Sequence, residues 1–123
     1  MFKVLFVDND ATLRMIGKKA IEGHWDDCKV VLAVNGAEAL KLALKEQPVL
    51  IILDLIMPGF DGVETLKKLR EQGSQAPVIF VTAREDASEL QAYSNLGVKA
   101  VLQKPFVPRT LLEECSKILD QKS

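Results

Sequence analysis

The chain has 123 residues, 48% hydrophobic and 27% charged, with a formal net charge of −1 at pH 7. That length buries one core without disulfides or a structural metal, so residues 1–123 are expected to form a single domain, and the near-neutral balance excludes a basic footprint for nucleic acid. Cys28 and Cys115 match no metal-ligand spacing and read as reduced thiols, while the absence of a signal-peptide run after Met1 and of any bilayer-length apolar stretch points to the cytoplasm.

In chain order, the first apolar run is Val4 to Val7, which delivers Asp8-Asn9-Asp10. Leu13, Ile16, Ala20 and Ile21 follow at helical spacing, and Asp10 is placed to cap that helix. His24 and Trp25 stand near its far end, where a histidine suits the helix dipole. A second run, Val30 to Val34, leads to Asn35 with Glu38 three residues on, the spacing of a capping box, and then to Ala37, Leu40 and Leu44. The third run, Val49 to Leu53, is closed by Asp54 and by the breaker-rich stretch Leu55-Ile56-Met57-Pro58-Gly59-Phe60-Asp61-Gly62.

Asp61 with Glu64 starts the next helix, whose apolar positions are Val63, Leu66 and Leu69 and whose end is marked by Gly73. Val78 to Val81 is the fourth run and ends at Thr82. Asp86 with Glu89 predicts a helix through Leu90, Tyr93 and Leu96, ended by Gly97. Ala100 to Leu102 is the last run and delivers Lys104; Pro108 suits the first turn of a final helix carrying Leu111, Cys115, Ile118 and Leu119. The tail after Leu119 reads as frayed.

None of the five runs shows apolar–polar alternation, so each suits a parallel strand covered on both faces. Alternation with helices predicts an α/β fold, a doubly wound sheet of five β/α units. In such a sheet the residues that follow each strand gather along one rim, where ligands bind. Asp8, Asn9, Asp10, Asp54, Thr82 and Lys104 are therefore expected on one rim. Oxygen ligands from Asp8, Asn9 and Asp54 suit a hard divalent cation such as Mg2+. Lys104 then serves as counter-charge to a phosphoryl group, Thr82 as a short donor to it, and one carboxylate as nucleophile.

Four blocks, Val7-Asp8-Asn9, Asp54 through Gly62, Val81-Thr82-Ala83 and Lys104-Pro105-Phe106, resemble in order and spacing the signature blocks of response-regulator receiver domains. The resemblance covers essentially the whole chain and implies a flavodoxin-like sheet of strand order 2-1-3-4-5. By position it makes Asp54 the phosphoacceptor, Asp8 and Asn9 the Mg2+ pocket with the Ile56 backbone carbonyl as a further ligand, Thr82 the switch hydroxyl and Lys104 the phosphate partner. It also implies a cis peptide before Pro105. The expected partner is a sensor histidine kinase or histidine phosphotransfer protein. The expected output surface is the face of the fourth helix, fifth strand and last helix, including Glu89, Tyr93 and Arg109, with homodimerisation through that face one outcome. No direct nucleic-acid or membrane contact is implied, and no turnover beyond the domain's own phosphoryl transfer and autodephosphorylation.

Departures from the family pattern carry expectations of their own. Asn9 replaces the second acid, so Mg2+ should bind more weakly than to an acid pair and Asn9→Asp should tighten it. Val101 stands where the family often carries an aromatic switch residue. Ile56 and Arg84 flank the phosphorylation site, an apolar group to hinder water and a guanidinium within reach of the phosphate, which favours a long-lived phosphoryl group. Two rival readings use the same residues. Asp8-Asn9-Asp10-Ala11-Thr12 also looks like the Asp-x-Asp-x-Thr motif of haloacid-dehalogenase-type phosphatases, with Asp8 as nucleophile and Asp10 as general acid, although the chain is short for them and the Asp54 block goes unexplained. A receiver fold that binds partners without phosphorylation is the third reading, supported by Asn9 and opposed by Asp54, Thr82 and Lys104.

Overall fold

The structure, a computed structural model, describes residues 1–83 and 93–120. In chain order its elements are β1 (Phe2–Val7), α1 (Ala11–His24), β2 (Cys28–Ala33), α2 (Gly36–Glu46), β3 (Leu50–Asp54), α3 (Gly62–Glu71), β4 (Val78–Thr82), β5 (Val98–Gln103) and α4 (Pro108–Leu119). The five strands form one all-parallel sheet in the order β2-β1-β3-β4-β5, as the family resemblance implied. The Asp86–Glu89 cap and the helix expected to run through Leu90 fall wholly or in part outside the described residues; the short turn 93–96 and Gly97 enter β5.

The unbroken apolar runs are explained by the two faces they serve. Val4, Phe6, Leu50, Ile52, Ile79 and Val81 pack with Ile21 of α1 and with Leu111 and Cys115 of α4 in one buried cluster. Their strand neighbours Leu5, Val7, Ile51, Leu53, Val78 and Phe80 pack with Ala39 and Ala43 of α2 and Leu66 and Leu69 of α3 in the other. Successive side chains of a strand point to opposite faces, so helices on both sides require every central position to be apolar.

The helix ends follow from local chemistry. Asp10 Oδ1 accepts from the N–H groups of Thr12 and Leu13, at 2.8 and 3.3 Å. Asn35 and Asp61 each accept from the third residue on, Glu38 and Glu64, at 2.9 Å. Glu38 closes its box one residue early, with Oε1 accepting from the Val34 N–H at 3.0 Å. Gly73 and Gly97 take left-handed φ angles of 98° and 87°, conformations that side-chain-bearing residues rarely adopt. Pro108 is the first residue of α4.

The edge strand β2 is plugged by side chains. Glu22 Oε2 accepts from the outward N–H of Val30 at 2.8 Å and from Lys18 Nζ at 2.9 Å, and Lys18 Nζ also reaches the Val30 carbonyl at 3.4 Å. A helix ion pair thus stands where a sixth strand would pair. Cys28 and Cys115 are buried in the same cluster, and burial pushes their thiols up to about 11 and about 12 respectively.

Candidate functional site

The ends of β1, β3, β4 and β5 bring Asp8, Asp54, Thr82 and Lys104 to one rim. Asp8 is 1% exposed, Asp54 3%, and Thr82 is fully buried. Main-chain bonds hold the strand exits in place: Asp8 N–H to the Ala33 carbonyl at 3.1 Å, Leu55 N–H to Val81 at 2.8 Å and Lys104 N–H to Thr82 at 2.7 Å. The Lys104–Pro105 peptide is cis, as expected from the resemblance.

Lys104 Nζ lies 3.0 Å from Asp8 Oδ2 and 3.3 Å from Asp54 Oδ2, so one ammonium bridges two buried carboxylates. The remaining oxygens are also engaged. Asp8 Oδ1 accepts from the Asp10 N–H at 2.9 Å and Asp54 Oδ1 from the Ile56 N–H at 3.3 Å. Burial raises the Asp54 pKa above the ordinary aspartate value, and the charge of Asp8 pushes the same way; Lys104 and the Ile56 N–H oppose this without cancelling it. Burial alone would lower the Lys104 pKa, but its hydrogen bond and charge contact with Asp8, then with Asp54, carry it above the ordinary lysine value. Two carboxylates sharing a single lysine leave an excess of negative charge, the setting that perturbs titration at functional sites.

Asn9 is exposed on the turn after Asp8, and Asp10 serves as the cap of α1. Among the described residues no cluster of three or more His, Cys, Asp or Glu side chains forms, so the pocket holds two carboxylates, Asp8 and Asp54. The Ile56 side chain is 54% exposed beside Asp54. Arg84, its expected counterpart, and Glu89 lie outside the described residues. Val101 is half-buried against the α2/α3 core, Tyr93 packs on the same cluster, and Arg109 is exposed 3.9 Å from Glu113.

Gly62 lets α3 begin directly against the site. A Cβ there would stand 2.6 Å from the Asp54 carbonyl oxygen and 2.7 Å from Leu55 Cα. Arg14 went unnoticed in the sequence: its Nη1 donates to the Asp8 carbonyl at 2.8 Å. The available signal was a basic residue near the start of a helix whose first turn carries no acid.

His24 and Trp25 lie at the other end of the sheet, as expected. Their rings meet edge to face at 4.4 Å, Trp25 Nε1 donates to Asp120 Oδ1 at 3.0 Å, and the following turn pairs with the start of β1. A cleft of about 660 Å³ between Phe2, Val49, Pro77 and Ile118 opens there, with Lys99, Glu114 and Lys117 as ionisable groups.

Residues 4–116 match the sequence model of the response regulator receiver domain. Response regulator MprA of Mycobacterium leprae is 32% identical over 117 residues, covering 95% of this chain and 50% of that protein. The alkaline phosphatase synthesis transcriptional regulatory protein PhoP of Bacillus subtilis is 34% identical, covering 95% and 48%. The chain therefore spans about half the length of these curated relatives. Among solved structures, chemotaxis protein CheY4 of Vibrio cholerae superposes with a TM-score of 0.86 at 31% identity, covering 97% of this chain and 99% of that one. A two-component response regulator from Clostridium difficile gives 0.87 at 25% identity, covering 98% of each.

Proposed function

The chain belongs to the response regulator receiver domains of two-component systems, with their flavodoxin-like fold, and from that premise we propose that Asp54 is its phosphoacceptor, charged by a histidine donor with Mg2+. The observation that carries the reading is the Asp8–Lys104–Asp54 bridge: two buried carboxylates held by one ammonium. A further cation fits that excess of negative charge. Asp8, Asp54, the Asn9 amide and the Ile56 carbonyl would hold Mg2+, which when bound supplies charge neutralisation to the oxygens of the transferring phosphoryl group.

The protein's part is nucleophile and scaffold. An Asp54 carboxylate oxygen attacks phosphorus, and the bond to the donor nitrogen breaks with its electron pair leaving on the imidazole. Lys104, already poised between the carboxylates, moves its charge onto the phosphoryl oxygens, and the Thr82 hydroxyl donates to one of them. Both contacts exist only in the phosphorylated state, so phosphorylation shifts the population towards it. The receiver then presents a changed surface to its output, and the α4 and β5 face is the proposed one. Against the phosphatase reading with Asp8 as nucleophile, Oδ1 of its would-be general acid, Asp10, caps α1, and that reading gives Asp54 no role.

Incubation with acetyl phosphate and Mg2+, followed by intact mass measurement, tests the reading. The native protein and Asp8→Asn should gain a phosphoryl group, the latter more slowly, and Asp54→Asn should gain none. Label that persists in Asp54→Asn and vanishes in Asp8→Asn would overturn it.

A further inference from the structure

Arg14 occupies the fourth position of α1, at the helix end where the macrodipole disfavours a positive side chain. Half-buried, it turns back over the rim, and its Nη1 donates to the Asp8 carbonyl at 2.8 Å. Asp8 is thereby held at three points: its carbonyl by Arg14, Oδ1 by the Asp10 N–H at 2.9 Å and Oδ2 by Lys104 Nζ at 3.0 Å. The nearby Asp10 carboxylate is engaged with the N–H groups of Thr12 and Leu13. Two fixed cations, Arg14 and Lys104, thus touch the same aspartate, and Asn9 contributes no charge.

We propose that Arg14 is a charge-setting residue of the carboxylate pocket, whose guanidinium lowers the affinity for a divalent cation below what the two aspartates would otherwise give. The inference rests on the pocket being the divalent-cation site, as in the proposed function. The contact is to a backbone carbonyl of a candidate ligand residue, so Arg14 acts on an incoming ion through space and through the placement of Asp8. A guanidinium stays protonated at every working pH, so its repulsion of a divalent ion varies with ionic screening and not with titration. Asn9 and Arg14 act in the same direction: the first withholds a negative charge from the pocket and the second adds a positive one.

Mn2+ titration followed by electron paramagnetic resonance tests this without reference to phosphorylation. The proteins compared are the native chain, Arg14→Gln, which keeps an N–H for the Asp8 carbonyl but loses the charge, Arg14→Lys, which keeps the charge, Asn9→Asp and Asp54→Asn. At low ionic strength Arg14→Gln should bind Mn2+ at least about threefold tighter than the native protein, with the gain shrinking in about 0.5 M KCl as the Debye length falls. Arg14→Lys should bind like the native chain. Equal or weaker binding by Arg14→Gln overturns the inference, as does a gain that high salt leaves untouched, since that marks rearrangement and not charge. If Asn9→Asp fails to tighten binding and Asp54→Asn fails to weaken it, the assignment of the cation site is what has failed.

Discussion

Replacing Gly62 by alanine tests how tightly α3 is set against the phosphoacceptor strand. The added Cβ would meet only main-chain atoms, the Asp54 carbonyl oxygen at 2.6 Å and Leu55 Cα at 2.7 Å. No flexible side chain can give way, so relief requires the start of α3 to move outward by several tenths of an ångström. That movement stretches the 2.8 Å bond from the Gly62 N–H to the Leu55 carbonyl and lifts the fully buried Leu66 and Leu69 from their packing. Overpacking of this kind costs about 1–3 kcal/mol, and the better helix propensity of alanine returns less than about 1 kcal/mol. With an unfolding entropy of about 2.1 cal/mol/K per residue, each kcal/mol lowers the Tm of a 123-residue domain by about 4 °C. Gly23→Ala is the control, because nothing lies within 4 Å of its added Cβ. Thermal and urea unfolding should show Gly62→Ala less stable by about 0.5–2.5 kcal/mol, the overpacking cost less about half a kcal/mol of propensity at the first helical position, and Gly23→Ala unchanged or slightly more stable. Gly62→Ala within about 0.5 kcal/mol of the native protein would refute the close-approach argument.

Titration supplies two further tests. The folded Asp54 pKa lies above its unfolded value of 3.8 because burial and Asp8 disfavour its charge. Ionised Asp54 therefore destabilises the fold above its folded pKa, and the penalty disappears as pH falls towards the unfolded value. Asp54→Asn should raise the Tm at neutral pH, with the gap closing in acid; a lower Tm at neutral pH would contradict this. Glu22 behaves oppositely. Its hydrogen bond from Val30 and then its pairing with Lys18 hold its pKa below 4.5, so its contribution is present above the unfolded value and lost as pH falls through the folded one. Glu22→Gln should cost about 0.5–1 kcal/mol at neutral pH and nothing in strong acid by urea unfolding, and a difference that persists there would remove the charge argument.

The parts of the fold that were legible in the sequence are those with local causes. Central strands covered on both faces wrote themselves as unbroken apolar runs, and Asn35, Asp61, Gly73 and Pro108 marked helix ends through chemistry confined to a few neighbouring residues. The edges were harder. β5 extends from Val98 to Gln103, beyond the expected Ala100 to Leu102, because an edge strand tolerates exposed residues such as Lys99 and Gln103 that interrupt the apolar pattern. β2 likewise begins at Cys28 and includes the exposed Lys29.

The site was legible because the parallel topology alone sends the C-terminal end of every strand to one rim, which groups Asp54 and Thr82, the last residues of β3 and β4, with Asp8 and Lys104, the residues that follow β1 and β5. Side-chain reach across elements could not be read this way. Arg14 on the Asp8 carbonyl and Glu22 on the β2 edge join residues whose spacing carries no motif.

The central claim is the identity of the phosphorylated side chain. Borohydride reduction of the protein freshly treated with acetyl phosphate converts an acyl phosphate to homoserine, and tandem mass spectrometry of the peptides locates it. The account predicts homoserine at position 54 alone. Homoserine at position 8 with an intact Asp54 would contradict it, as would no conversion under conditions in which a control receiver domain is labelled.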